Sequence, residues 1–197
     1  MRNTGILLLL TTLSATNASA GIVEGHASFR VGDYTRAHDE LLPLAGRGDP
    51  LAAHLIGVMY LEALGVPGNP SLGVRWLMRA ADLGHTESQL RLAEAYEAGE
   101  GVAQDYREAA RWMLEAARGG NADAQYLLGQ YHHIGRGVVQ DDVQAYEWIH
   151  RSVEYDIGHS RLLEALLYLG TANEWGRGVR QNLIEAYKWF SLASGLS

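Results

Sequence analysis

Small and apolar residues recur along the chain at a fixed interval, and tryptophan marks that interval most clearly. Trp76, Trp112 and Trp148 are each 36 residues apart, and Trp189 follows 41 residues later. Seven residues before each of these four tryptophans stands an Asp or Asn, and eleven before it a glycine that is followed by valine. A period of this length is typical of repeat proteins, in which each repeat is one supersecondary unit.

Each repeat is predicted to contain two helices, which we call helix A and helix B. In the third full repeat, Ala124, Leu128 and Tyr131 lie at helical spacing, which predicts helix A. Helix A ends at a pair of glycines, because glycine accepts the positive φ angle of a helix C-cap. The pairs are Gly99/Gly101, Gly135/Gly137 and Gly176/Gly178.

Helix B is predicted to begin at the Asp or Asn that stands seven residues before the tryptophan. The side chain of this residue accepts a hydrogen bond from a free N–H group of the first turn. Three residues later a Glu or Gln completes the pattern of a capping box. The three predicted boxes pair Asp105 with Glu108, Asp141 with Gln144, and Asn182 with Glu185. Small residues after the tryptophan let neighbouring helices approach, and a glycine ends the helix (Gly84, Gly120, Gly158 and Gly195).

The pattern also extends towards the N-terminus and is interrupted once. Asp33 lies 36 residues before Asn69, so residues 33–47 are predicted as a helix B without its tryptophan, after a short helix A at about residues 22–31. The five additional residues before Trp189 fall around residues 155–159, where we expect a longer helix or connection. The chain is therefore predicted to hold ten helices in five units. The predicted segments are 1–20, 21–48 (a degenerate half-repeat), 49–85, 86–121, 122–159 and 160–197.

The repeated residues resemble the Sel-one-like repeat family, a longer relative of the tetratricopeptide repeat. Ser88 to Ala117 match its pattern with Ala93 for the first glycine, and residues 124–153 match it with His132 for a tyrosine. The resemblance implies an all-α fold, a right-handed α/α superhelical solenoid whose helix A residues line a concave groove. It also implies a scaffold or adaptor that binds another protein, which is an expectation from the fold alone.

The first twenty residues have the pattern of a secretory signal peptide. Met1 and Arg2 form a positive start, an apolar stretch runs from Gly5 to Leu13, and Ala18-Ser19-Ala20 is a small-x-small cleavage site. The alternative, a membrane anchor, needs roughly 20 apolar residues, and this stretch is about half as long. We therefore expect cleavage after Ala20 and a periplasmic or secreted protein with no membrane span.

The composition of the chain argues against nucleic acid as a partner and against disulfide bonds between the repeats. The net charge of −7 argues against nucleic acid, whose phosphates require clustered Lys and Arg. The chain has no cysteine, so no disulfide can brace the repeats as in the cysteine-rich secreted branch of the family. Its stability is therefore expected to rest on packing alone.

The sequence offers few candidates for catalytic or metal-binding residues. His132 and His133 form the only adjacent histidine pair, and His150 and His159 could approach them to bind a metal. We favour a structural interpretation, with His132 replacing a partly buried tyrosine and His133 on the surface. No catalytic motif is present, so we predict no catalytic residue, cofactor or metal site.

The leading hypothesis is a non-enzymatic scaffold in the bacterial cell envelope that binds another protein through its helix A face. One alternative is a cell-wall or small-ligand binding module, with Tyr126 and Tyr131 stacking on sugar. A more remote one is a hydrolase that acts on envelope substrates.

Overall fold

The computed structural model describes residues 21–154 and 159–196, and every regular element in these ranges is a helix. Residues 21–30 form α1. The remaining helices are α2 (Tyr34–Gly46), α3 (Pro50–Leu61), α4 (Pro70–Asp82), α5 (Thr86–Ala98), α6 (Tyr106–Arg118), α7 (Ala122–Ile134), α8 (Asp142–Val153), α9 (His159–Trp175) and α10 (Leu183–Ser194). In the described ranges, none of these helices combines the length and the apolar character needed to cross a bilayer.

Helix pairs pack in chain order within two compact units. Among the described residues, the first unit comprises 21–88 and 100–102, and in it α2 packs on α3 and α3 along α4. The second comprises 89–99, 103–154 and 159–196. In the second unit α6 packs on α7, α7 along α8, α8 on α9, and α9 along α10. The odd-numbered helices are thus the predicted helices A, and the even-numbered ones are the helices B.

The five predicted helix B starts are confirmed. Asp105 is typical, because its carboxylate accepts hydrogen bonds from the backbone N–H groups of Arg107 (2.8 Å) and Glu108 (3.2 Å). The same role is filled by Asp33, Asn69, Asp141 and Asn182. Each satisfies N–H groups that have no partner inside the helix.

Only half of each predicted capping box forms. The Asp or Asn side chain accepts from the N–H three residues later, but the Glu or Gln side chain does not bond back to the N–H of that Asp or Asn. The N–H of Asp105 donates to the backbone carbonyl of Tyr96 (2.9 Å), while the Glu108 carboxylate accepts from Arg111 (2.8 Å). Asn69, Asp141 and Asn182 donate in the same way to the carbonyls of Tyr60, His132 and Asn173, and Asp33 donates to that of Ser28 in α1. These carbonyls belong to the last turn of helix A and lack an intrahelical donor, so the tertiary contact replaces the local one.

This backbone bond explains why one repeat position tolerates different side chains. Tyr60, Tyr96, His132 and Asn173 occupy the same place in successive repeats, and each bonds the next helix through its main-chain oxygen. The bond does not depend on the side chain. His132 and Asn173 can therefore replace tyrosine without loss of the link between helix A and helix B.

The glycine turns combine a positive φ with close backbone contact. Gly137 has a φ of +68°, and a Cβ atom there would collide with the backbone carbonyl of Tyr106 at the start of α6. Gly178 lies in the same way against Asp142 at the start of α8. In the first full repeat, Ala63 takes the place of the first glycine and has a φ of +54°, an uncommon angle for a residue with a Cβ.

Helix A crosses helix B at a small residue. A Cβ on Gly129 of α7 would lie only 3.0 Å from the carbonyl oxygen of Ala145 on α8, so glycine is needed for this approach. Trp112 is 5% exposed and belongs to the core, as predicted. Trp76, Trp148 and Trp189 are only half-buried, so these three phased tryptophans bury less than the sequence suggested.

The irregular spacing before Trp189 corresponds to a longer helix. α9 has 17 residues, whereas α2 to α8 and α10 have 12 or 13. Its start at His159 is four residues earlier than the position that corresponds to the start of α7. The predicted helix end at Gly158 lies outside the described residues, as does the predicted signal peptide.

Candidate protein-interaction surface

Two adjoining clefts lie on the helix A surface of α7 and α9 and share Tyr168. The first has a volume of about 370 Å³ and is lined by Tyr168, Thr171, Ala172, Trp175 and Arg177. The second has a volume of about 280 Å³ and is lined by Tyr126, Gln130, His133, Ile134, Arg136, Ile149 and Tyr168. We call the residues of these two clefts the Tyr168 surface.

Tyr168 separates the two clefts. The edge of its ring contacts His133, with 5.2 Å between the ring centroids, and His133 in turn bonds Asp142 through Nδ1 (2.8 Å). The Tyr168 hydroxyl is buried and has no hydrogen-bond partner among the described residues. Burial raises the pKa of Tyr168 to about 12, so the hydroxyl keeps its proton at neutral pH. An unsatisfied buried hydroxyl is unfavourable, so a polar group that enters the cleft gains by bonding it.

Arg136 and Arg177 occupy the same repeat position but differ in their partners. Arg136 forms an ion pair with Glu97 (2.9 Å), and its guanidinium lies 5.2 Å from the ring of Tyr106. In the next repeat, His133 stands where Glu97 stands relative to Arg136. Within the described ranges no carboxylate pairs with Arg177, which is exposed. Arg177 therefore offers a positive charge at the edge of the first cleft.

Exposed apolar side chains border both clefts. Trp175 is 75% exposed and Ile134 is 55% exposed, and each is the last residue of its helix A. Sequence reasoning did not single out Trp175. The signal was available, because Trp175 is the one tryptophan of five that does not occupy the tryptophan position of a helix B.

The histidines considered for a metal site contact different residues. His133 pairs with Asp142, and the ring of His150 packs against Trp189 with 5.5 Å between centroids. The buried Nδ1 of His132 has no hydrogen-bond partner among the described residues. The side chain of His159 is not among those that the structure describes. The described residues contain no cluster of three or more His, Asp or Glu side chains suited to a metal ion.

The proposed sugar-stacking role of Tyr126 and Tyr131 is wrong. Each side chain is only 3% exposed, so neither ring has a free face for a sugar. The Tyr126 hydroxyl donates to Glu164 (2.6 Å), and burial together with this bond raises the pKa of Tyr126. Both tyrosines are core residues, and Tyr126 also lines the second cleft.

Comparisons with known proteins agree with the repeat pattern. The family described as Sel1 repeat matches residues 50–85, 86–121, 122–154 and 163–196. The last match begins at 163 and so omits the N-terminal extension of α9. No functionally curated protein matches the chain significantly.

Solved structures of Sel1 repeat proteins share the fold. A Sel1 repeat protein from Oxalobacter formigenes is 25% identical with a TM-score of 0.82, over 88% of this chain and 70% of that one. The protective antigen c5321 of uropathogenic Escherichia coli, which displays an SLR fold, is 28% identical with a TM-score of 0.80, over 90% of this chain. This chain covers only 38% of that antigen.

These structures confirm the predicted all-α repeat fold. The family match extends over most of the chain. The chain therefore belongs to the Sel1 repeat family, whose members generally act as non-catalytic scaffolds for protein interactions.

Proposed function

We propose that this chain is a protein-interaction scaffold of the bacterial cell envelope and that its partner binds at the Tyr168 surface. The observation that carries the proposal is the exposed Trp175 beside Arg177, next to a cleft with an unsatisfied hydroxyl. Tryptophan, tyrosine and arginine are the residue types that contribute most binding energy at protein interfaces. Three of them converge here on one helix and its following turn.

The chemistry of the surface indicates what the partner presents. Trp175 and Ile134 favour an apolar or aromatic side chain, whereas Arg177 favours a carboxylate. The positive charge of Arg136 at the second cleft is already neutralised, because Arg136 is paired with Glu97. We therefore expect a partner segment in which an acidic residue lies close to an apolar one, with the carboxylate at Arg177.

The envelope location rests on the sequence of residues 1–20. Fractionation of the source cells, followed by mass determination of the chain, tests this part of the proposal. A chain that begins at Gly21 in the periplasm or the medium is the expected result. An intact chain that retains Met1 in the cytosol would contradict it.

Affinity capture from envelope extracts tests the binding surface. The wild-type chain should retain a specific protein that Trp175→Ala and Arg177→Gln both lose. Val139→Ala is the matched control, because Val139 is 87% exposed and lines neither cleft. Retention of the same proteins by all four chains would exclude the Tyr168 surface as the binding site.

A second measurement separates the protein partner from the cell-wall alternative. The purified chain is sedimented with insoluble peptidoglycan, and the Trp175→Ala variant is treated in parallel. The proposal requires the wild-type chain to remain in the supernatant. Sedimentation that depends on Trp175 would assign the same surface to the cell wall.

A further inference from the structure

Arg136, in the turn after α7, lies over a tyrosine ring of its own repeat. The guanidinium carbon of Arg136 is 5.8 Å from the ring centroid of Tyr131, and the guanidinium pairs with Glu97 (2.9 Å). Burial, followed by the negative charge of Glu97, raises the pKa of Tyr131. The charge of Arg136 is therefore held by a carboxylate and an aromatic ring, both of which attract a cation.

The next repeat keeps the arginine but lacks the tyrosine. Arg177 corresponds to Arg136, and Ala172 stands where Tyr131 stands, two residues after the glycine at the helix crossing. The two earlier full repeats have neither the arginine nor the ring, because they pair Met59 with Leu64 and Ala95 with Glu100. In the part of the chain that the structure describes, no aromatic ring lies within cation–π distance of Arg177 and no carboxylate pairs with it. Arg177 thus lacks both groups that hold Arg136.

The space beside Ala172 is open. Ala172 lines the first cleft of the Tyr168 surface, of about 370 Å³, together with Trp175 and Arg177. A cavity of about 150 Å³ accommodates benzene, so this cleft has room for an aromatic ring and the group attached to it. In the preceding repeat Tyr131 is 3% exposed and packs in the core. The cleft can therefore receive from another molecule the ring that the preceding repeat supplies from its own chain.

The polar groups of the cleft favour a carboxylate beside that ring. Burial, and then the charge of Asp142, raise the pKa of Tyr168, whereas the charge of Arg177 opposes the rise because the guanidinium lies near the hydroxyl. The Tyr168 hydroxyl has no hydrogen-bond partner among the described residues. His133, which stands at the position of Glu97, bonds Asp142 (2.8 Å). The hydroxyl and the guanidinium are thus two neighbouring donors that an external carboxylate can satisfy.

We propose that the partner of the Tyr168 surface inserts an aromatic side chain beneath Arg177 and places a neighbouring carboxylate against Arg177 and Tyr168. The ring takes the position that Tyr131 has beneath Arg136, and the carboxylate takes the role of Glu97. Trp175, which is 75% exposed, borders the inserted ring and adds an aromatic contact. This inference rests on the proposed function and specifies the apolar residue of the partner as an aromatic one.

Ala172→Tyr tests the position of the ring, because the chain then supplies its own. The new side chain should fill the cleft as Tyr131 fills the core, so the partner that the wild-type chain retains in affinity capture should be lost. Leu167→Tyr is the matched control, because Leu167 lies on the same helix, is 43% exposed and lines neither cleft. This control should retain the partner, and thermal melts check that both variants fold.

The capture experiment distinguishes the inference from the proposed function. A folded Ala172→Tyr chain that keeps the partner, while Trp175→Ala and Arg177→Gln lose it, would overturn the inserted ring and leave the binding surface in place. Retention of the partner by all of these variants would overturn both.

A small probe tests the inference even if Ala172→Tyr does not fold. The probe is 4-hydroxyphenylacetate, which carries an aromatic ring and a carboxylate, and its binding to the purified full chain is followed by two-dimensional NMR. We expect a dissociation constant on the order of millimolar, with shifts at the Ala172 amide and the Trp175 indole. Cyclohexylacetate has the same charge and a similar size but no aromatic face, and it should bind about threefold more weakly.

Arg177→Gln completes the probe experiment. This change removes both the ion pair and the cation–π contact, so it should weaken the binding of 4-hydroxyphenylacetate at least about fivefold. Val139→Ala, at an exposed residue that lines neither cleft, should leave the affinity unchanged. Equal affinities for the two probes would refute the aromatic site, as would binding that Arg177→Gln does not change.

Discussion

Truncation of Trp112 tests whether the repeat core depends on its buried tryptophan. Trp112 is 5% exposed, and its indole nitrogen has no hydrogen-bond partner among the described residues, so the change removes apolar packing but no hydrogen bond. Trp112→Ala removes about 150 Å² of buried surface, which at about 25 cal/mol/Å² corresponds to about 4 kcal/mol. This value lies within the roughly 3–5 kcal/mol typical of Trp→Ala in a core.

The measurement is the free energy of unfolding in urea, monitored by far-ultraviolet circular dichroism. Trp175→Ala is the matched control, because the same truncation at a side chain that is 75% exposed should change stability by less than about 0.5 kcal/mol. A loss below about 1 kcal/mol for Trp112→Ala would refute its assignment to the core. Equal losses for the two variants would refute the burial argument as a whole.

Two further predictions concern a turn and a helix start. Gly137→Ala should destabilise the chain more than Gly32→Ala in thermal melts, because both glycines have a positive φ (+68° and +83°) but only Gly137 lies against a backbone carbonyl. Equal losses would show that the contact is unimportant. His85 accepts a hydrogen bond from the N–H of Ser88 (3.2 Å) through Nδ1, which must be unprotonated, and burial lowers the pKa of His85 from 6.5. Its contribution to stability is therefore present above about pH 6.5 and lost as the pH falls through the lowered pKa. His85→Asn should flatten this part of the stability profile, and an unchanged profile would contradict the assignment.

The helices were predictable because the signals that start and end them are local. Asp105 satisfies N–H groups two and three residues away, and Gly135 ends α7 through its own positive φ angle (+70°), so neither signal depends on distant parts of the chain. The recurrence of these signals at 36 residues then identified the repeat. The longer α9 was also visible, because five additional residues between two phased tryptophans must be accommodated in a helix or connection.

The candidate interaction surface could not be derived from such local sequence signals. The sequence allowed Tyr126 to be interpreted as a residue that stacks on sugar, but Tyr126 is a core residue. Trp175, which does not fit the repeat pattern, is exposed. The sequence pattern shows which residues deviate from the repeat but not whether they point outward. That depends on which neighbouring helix covers them.

The sequence by itself determined the number of helices, their caps and the repeat period, because these follow from short-range hydrogen bonding and backbone sterics. Only the tertiary structure decided which tryptophan is buried and that the Asp105 N–H bonds Tyr96 rather than Glu108. Among the described residues, it also left Arg177 without the carboxylate partner that Arg136 has. These features depend on contacts between residues far apart in the chain, where a neighbouring helix competes with the local partner or excludes the solvent.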